Sequence, residues 1–291
     1  MNKIVDLLFE TNAIKVCKED TPFWYTSGKI GPFFINAQFL YGSEQDANDL
    51  LDYINNQLEN EEKTEISRNV FERVKAQYEN NNIYKEVIDE FISYIKQNMD
   101  ISEIDYISGG ERRDWYFSMM VAYLMKKPHI TIFKDVTAVE SDYLFENNSL
   151  KGNLEGKNVL HISDLLNYGS SFIRAWIPAI DALGGNLKWA MFVVDRNPEG
   201  GKVLREAGVE NMALSTVGAE LFETAAKAGK ITENQLEFVK DFCADDEGTM
   251  QRFLDEHPNF IKDSLNSSNE RIAKRAKLCV ESHFYNIWGK D

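Results

Sequence analysis

Apolar positions along the chain follow two periods. Short runs rich in apolar residues at 104–108, 129–133, 159–162, 187–194 and 212–215 have the length of buried strands. Between them the spacing turns helical, with Trp115, Met119, Val121, Ala122 and Leu124 in one segment and Phe172, Ile173, Trp176, Ile177 and Ile180 in another. Strands that alternate with helices in this way predict an α/β fold, a central parallel sheet with crossover helices.

The flanking segments read differently. Ile4, Leu7, Leu8, Ala13 and Ile14 predict a helix over 3–16. Phe23, Tyr25 and the run Phe33-Phe34-Ile35 are strand-like, and Ser27-Gly28-Lys29 between them predicts a β-hairpin. A capping box at Ser43-Glu44-Gln45-Asp46 starts a helix to about residue 58. From 59 to 100 the chain is acidic, with two helical stripes, Ile66-Val70-Phe71-Val74-Tyr78 and Tyr84-Val87-Ile88-Phe91-Ile92-Ile95. They predict a helical hairpin that packs on the domain or on a partner subunit. Residues 135–156 are polar and lack a helical period, as in a mobile loop. Beyond Val217 come helices, two of them announced by capping boxes at Thr232 and Ser267.

Composition narrows the class. The chain has 291 residues, 43% hydrophobic and 27% charged, which suits a globular protein with a sizeable core. A net charge of −15 repels nucleic acid and anionic membranes, and no apolar run reaches the roughly 18 residues of a membrane span. The N-terminus lacks a signal-peptide pattern, so a cytoplasmic location is expected. Cys17, Cys243 and Cys279 are odd in number and far apart, which argues against a disulfide framework and a zinc site. His161, His257 and His283 show no metal-ligand spacing.

In a chain this acidic, a site for a polyanion must gather its cations and donors locally. The strand at 159–162 runs through Ser163 and Asp164 into Asn167-Tyr168-Gly169-Ser170-Ser171 and then a helix. Such a turn aims unpaired N–H groups outward, with the positive end of the helix behind them, and can seat a phosphate. Asp164 would accept from sugar hydroxyls beside it. The plainer reading is an ordinary strand–loop–helix joint. Gly109-Gly110-Glu111-Arg112-Arg113 repeats the arrangement with two guanidinium groups, which bind phosphate or are solvated surface arginines. The strand at 187–194 delivers Asp195-Arg196 into a Gly-rich turn, where Arg196 contacts a ligand or pairs with a carboxylate.

The stretch from Val159 to Ser171 resembles the phosphoribosyl-pyrophosphate (PRPP) motif of type I phosphoribosyltransferases: apolar residues, an acidic pair, then a Gly-Ser/Thr loop. Residues 23–36 resemble the N-terminal hood of the orotate phosphoribosyltransferases, with Phe23, Ser27, Gly28, Pro32, Phe34 and Asn36 in register. The resemblance covers residues 1–58 and 103–230. It implies the type I phosphoribosyltransferase fold, with a hood, a helical insertion at 59–102 and a helical C-terminal extension at 231–291 beyond a domain of residues 1–230. It also implies magnesium-dependent transfer of ribose 5-phosphate from PRPP to orotate, with Mg²⁺ bound mainly through PRPP, and a homodimer.

By the same resemblance Asp164 and Lys134 are the catalytic residues. Arg112, Arg113, Ser163, Asp164, Asn167, Tyr168, Gly169, Ser170 and Ser171 bind PRPP, and Thr26, Phe33, Phe34 and Arg196 bind the base. No protein cluster of metal ligands is implied. The chain departs from the pattern at Ser163, where the family has an acid, and at Thr26, where it has a lysine. Thr137 and Val139 stand where the family places the cations of a closing loop, and Lys151 is a candidate replacement. Three functions therefore stay open: transfer to orotate, transfer to another base, and binding of PRPP or a nucleotide without turnover by a regulator.

Overall fold

The computed structural model describes residues 3–18, 21–150 and 152–286; Lys151 lies outside them. In chain order they form helix α1 (Lys3–Glu10) and the short strands β1 (Ile14–Val16), β2 (Phe23–Trp24), β3 (Ile30–Gly31) and β4 (Phe33–Ile35). Helices α2 (Glu44–Asn60), α3 (Lys63–Asn80) and α4 (Asn82–Asn98) follow, then β5 (Tyr106–Gly110), α5 (Trp115–Met125), β6 (His129–Ile132), β7 (Ala138–Ser141), β8 (Asn148–Ser149) and β9 (Asn158–Leu166). Next come α6 (Ile177–Asp181), β10 (Asn186–Asp195), α7 (Pro198–Glu206) and β11 (Glu210–Thr216), and last α8 (Ala219–Lys227), α9 (Glu233–Ala244), α10 (Asp246–Glu256), α11 (Phe260–Leu265) and α12 (Glu270–Glu281).

These elements group into two compact units. The first joins the residues up to Ala13 to Asn36–Val217, and the second joins Ile14–Ile35 to the residues from Gly218 onward. These units part the chain at 217/218, not at the 230/231 expected from the sequence. Trp24 and Ile30 share a buried cluster with Met250, Phe253, Ile261 and Cys279, so the expected hood and the C-terminal helices have one core. Within this unit β2 pairs with β3 around the Ser27-Gly28 turn, whereas β4 pairs antiparallel with β1. The helix predicted over 3–16 stops at Glu10, because Asn12 takes a left-handed φ of 56° and Ile14–Val16 is spent on that pairing. In α12 the cap is Asn269, whose Oδ1 accepts from the Arg271 and Ile272 N–H groups, rather than Ser267.

The first unit is built on a seven-stranded sheet in the order β11-β10-β9-β5-β6-β7-β8. Its strands are parallel from β11 to β6, and β7 and β8 add an antiparallel edge. Helices cover both faces. The sequence Gly109-Gly110 records this: a Cβ on Gly109 would collide with Ser118 of α5, and one on Gly110 with the indole of Trp176 on the opposite face. Only residues without side chains let both layers approach the end of β5 so closely.

The polar stretch expected as a loop at 135–156 holds the β7–β8 hairpin instead. Its buried polar residues are bonded, which hid the strand from a hydrophobic pattern. The Ser67 hydroxyl on α3 lies 2.8 Å from Thr131 Oγ1 and 3.1 Å from Ser141 Oγ. Phe145 is fully buried and stacks on Phe71 of α3 with centroids 4.2 Å apart. The insertion therefore docks on its own unit. Tyr84 of α4 donates its hydroxyl to the Tyr116 carbonyl, and the Tyr41 ring lies 4.9 Å from Tyr84 and 5.2 Å from Tyr116.

Phe71→Ala removes the ring that joins the insertion to the edge of the sheet. Large-to-small changes at sites this buried lower stability by about 3–5 kcal/mol, and urea unfolding should show a loss of that size. A loss below about 1 kcal/mol would mean that the insertion is not part of this core.

Candidate functional site

The parallel strands deliver their carboxyl ends to one edge of the first unit, the place where open α/β sheets gather ligands. There β9 ends at Leu166 and passes into Asn167-Tyr168-Gly169-Ser170-Ser171. Gly169 has a φ of +69°. Its carbonyl accepts from the N–H groups of Phe172 and Ile173 at 3.0 and 3.3 Å. A π-helical turn, Phe172–Trp176, then runs into α6. The loop is braced from behind by Gly200 of α7, where any Cβ would collide with the Asn167 carbonyl oxygen. The Arg196 N–H donates to the Leu166 carbonyl at 2.9 Å.

A cavity of about 350 Å³ opens at this edge. It is lined by Arg112, Arg113, Lys134, Ser163, Asp164 and the whole loop 167–171, together with Glu111, Asp114, Phe172 and Trp176. Every PRPP-site residue expected from the sequence therefore borders one space. Arg196 does not line it. Thr26, Phe33 and Phe34 belong to the second unit. Thr26 is exposed in the β2–β3 turn. Phe33 is 5% exposed, with its ring 4.8 Å from Phe222 and 5.8 Å from Phe242. That ring serves the core of its own unit rather than an open stacking surface. Phe34 is half-buried, edge-on to Phe23 at 4.8 Å.

Charge in the cavity is divided unevenly. Arg112 donates to Asn55 Oδ1 on α2 and is half-buried, whereas Arg113 is exposed and is the guanidinium that acts on Asp164. Lys134 has its backbone N–H 3.1 Å from Glu111 Oε2 and its ammonium group 3.6 Å from Glu111 Oε1. Burial, with the negative charge of Asp114 next in weight, pushes the Asp164 carboxyl up to about 7, against the opposing pull of Arg113 and the Leu165 N–H. Asp164 is 9% exposed.

Asp114, in the turn after β5, escaped the sequence pattern. Its Oδ2 accepts from the Gly110 N–H at 3.1 Å and lies 3.2 Å from His161 Nε2, and its Oδ1 accepts from the Ser163 hydroxyl at 2.7 Å. His161 Nδ1 in turn lies 2.9 Å from Ser108 Oγ. His161 is packed against Phe172 and Trp176. The signal that could have found Asp114 was the serine at 163, which leaves a hydroxyl in need of a partner. Glu111 was likewise passed over beside two arginines.

The positions expected to hold loop cations are fixed in the β7 hairpin. The Thr137 hydroxyl donates to Asp135 at 2.6 Å, and Val139 is fully buried in β7. Among the described residues no group of three or more His, Cys, Asp or Glu side chains could hold a metal ion, and no helix is long and apolar enough to cross a membrane.

No protein-family model matches the sequence, and no curated protein matches it. Solved structures do. UMP synthase from Leishmania donovani superposes with a TM-score of 0.55 at 16% identity, over 84% of this chain and 42% of that one. Orotate phosphoribosyltransferase from Francisella tularensis superposes with a TM-score of 0.53 at 14% identity, over 82% of this chain and 96% of that one. The chain thus spans less than half the length of the UMP synthase. The likeness is one of fold: the chain has the α/β fold of the type I phosphoribosyltransferases, with a mixed central sheet.

A raised carboxyl pKa has a fixed consequence for stability. Folded Asp164 holds its proton more tightly than an unfolded aspartate at about 3.9, so unfolding releases a proton between about pH 4 and 7, and stability is lost as pH rises through that window. Asp164→Asn cannot ionise. Its melting temperature should match the wild type below about pH 4 and exceed it above pH 7 in parallel melts. A variant that melts below the wild type at pH 8 would contradict the assignment.

Proposed function

We propose that the cavity at the end of β9 binds PRPP and that the chain transfers its ribose 5-phosphate to a base of the orotate type. The observation that carries this reading is the convergence, on one cavity, of the Gly169 loop, the buried Asp164 carboxyl, Arg113 and Lys134. The N–H groups and hydroxyls of residues 167–171 suit the 5′-phosphate. Asp164 suits the sugar hydroxyls, and ionises there because donors and cations arrive with the ligand. Arg113 and Lys134 suit the pyrophosphate, with Arg112 in the same turn donating to Asn55 of α2.

In the transfer a base nitrogen forms a bond to C1′ as the bond from C1′ to the pyrophosphate oxygen breaks, the electron pair leaves with pyrophosphate, and the proton of the nitrogen is lost to solvent. Arg113 stabilises that developing charge, and Lys134 does so once it exchanges Glu111 for the phosphate. The all-oxygen acidic side of the cavity, Asp114 and Asp164, fits Mg²⁺ held mainly by PRPP oxygens. When bound, that ion neutralises pyrophosphate charge. The fold shared with an orotate phosphoribosyltransferase favours a pyrimidine base.

A specific observation favours a second reading, binding without turnover. Val139 is locked in a strand where a closing loop would need a cation. Titration calorimetry with PRPP and Mg²⁺, followed by an assay of orotate loss, separates the two. Binding with orotate loss supports transfer, and binding alone supports a PRPP sensor. Asp164→Asn should weaken PRPP by about tenfold or more, as expected for a lost charged hydrogen-bond acceptor. No PRPP binding by the wild type would overturn both readings.

A further inference from the structure

The expected acidic pair of the motif is incomplete, because Ser163 precedes Asp164. The structure puts a carboxylate at that serine from a different part of the chain. Asp114, three residues beyond Glu111 in the turn after β5, lines the same cavity as Asp164 and is 7% exposed. Its Oδ1 takes the Ser163 hydroxyl at 2.7 Å. Its other oxygen is fixed by the Gly110 N–H at 3.1 Å and by His161 Nε2 at 3.2 Å. A carboxylate held through both oxygens by β5 and β9 has little freedom to turn away. Oδ2 is occupied by its two partners, whereas Oδ1, with Ser163 alone, keeps a second lone pair for a ligand. His161 is itself held at 2.9 Å from the buried Ser108, so the orientation is set three residues deep.

We propose that Asp114 is the second ligand-binding acid of this site. With Asp164 it accepts hydrogen bonds from the ribose diol, and Ser163 is the hydroxyl that points it there. This rests on the PRPP reading above, and goes beyond it by moving an acid from the β9 motif to the neighbouring turn. The chemistry is that of two carboxylate acceptors facing two adjacent hydroxyl donors. Its structural counterpart, in which Asp114 merely satisfies Gly110 and His161, makes a different prediction for position 163. If the acid's place is already filled, a carboxylate added there brings a third negative charge against Asp114 and gains nothing. If it is vacant, the added carboxylate completes the pair.

Calorimetric titration of PRPP with Mg²⁺ into the wild type, Asp114→Asn and Ser163→Asp tests this. Asp114→Asn keeps an acceptor for the Gly110 N–H, and its affinity should fall by about tenfold or more while its melting temperature shows a folded protein. Ser163→Asp in the wild-type background should bind no more tightly than the wild type. In Ser163→Asp combined with Asp114→Asn, affinity should return to within about threefold of the wild type, a rescue that a purely structural Asp114 would not allow. Tighter binding by Ser163→Asp alone would overturn the proposal, as would unchanged binding by Asp114→Asn, and both would leave the PRPP reading standing. Ser163→Asp decides the matter even where Asp114→Asn fails to fold. A wild type that does not bind PRPP would overturn proposal and reading together.

Discussion

One buried carboxylate ties the working end of the first unit together. Asp114 accepts from the backbone at the end of β5 and from Ser163 on β9, and it meets His161 in the core between them. A buried anion is tolerable only when its oxygens are satisfied. The turn after β5 must therefore close over β9 in one way, and that closure brings Arg113 to the Gly169 loop. Removing any one of these partners leaves a buried charge short of a hydrogen bond rather than a mere gap.

The same closure explains why Asp164 is poised unusually. It sits beside a second acid in a largely buried place, so its carboxyl resists ionisation until positive charge or donors arrive. That is a costly arrangement for a resting protein and a sensible one for a binding site, where a ligand with hydroxyls and a companion cation relieves it. Stability and function oppose each other at this position, which is common where a site is built before its ligand.

Much of the sheet was legible in the chain because buried parallel strands are nearly uninterrupted apolar runs. Residues 159–162 and 187–194 announced β9 and β10, whereas Gly109-Gly110 read as a turn and only the structure shows them inside β5, packed against Ser118 and Trp176. The β7 hairpin was not legible. Ser141 is buried but polar, and it reads as loop until Ser67 of the insertion is seen to bond it. Sequence periodicity cannot show a long-range hydroxyl contact. Phe33 illustrates the opposite case, since an aromatic in a hood-like motif is packed against Phe222 within its own unit. Asp114 was not legible because His161 and Ser163, which fix its carboxylate together with the Gly110 N–H, lie far away in sequence.

The central claim is that residues 167–171, with Asp164, seat the sugar phosphate of PRPP. Amide chemical shifts of ¹⁵N-labelled protein during titration with PRPP and Mg²⁺ test it most directly. The account predicts that the largest changes fall on Leu165, Gly169, Ser170 and Ser171, with smaller ones at Arg113 and Asp114. Saturable changes confined to other residues, with those amides unmoved, would contradict it.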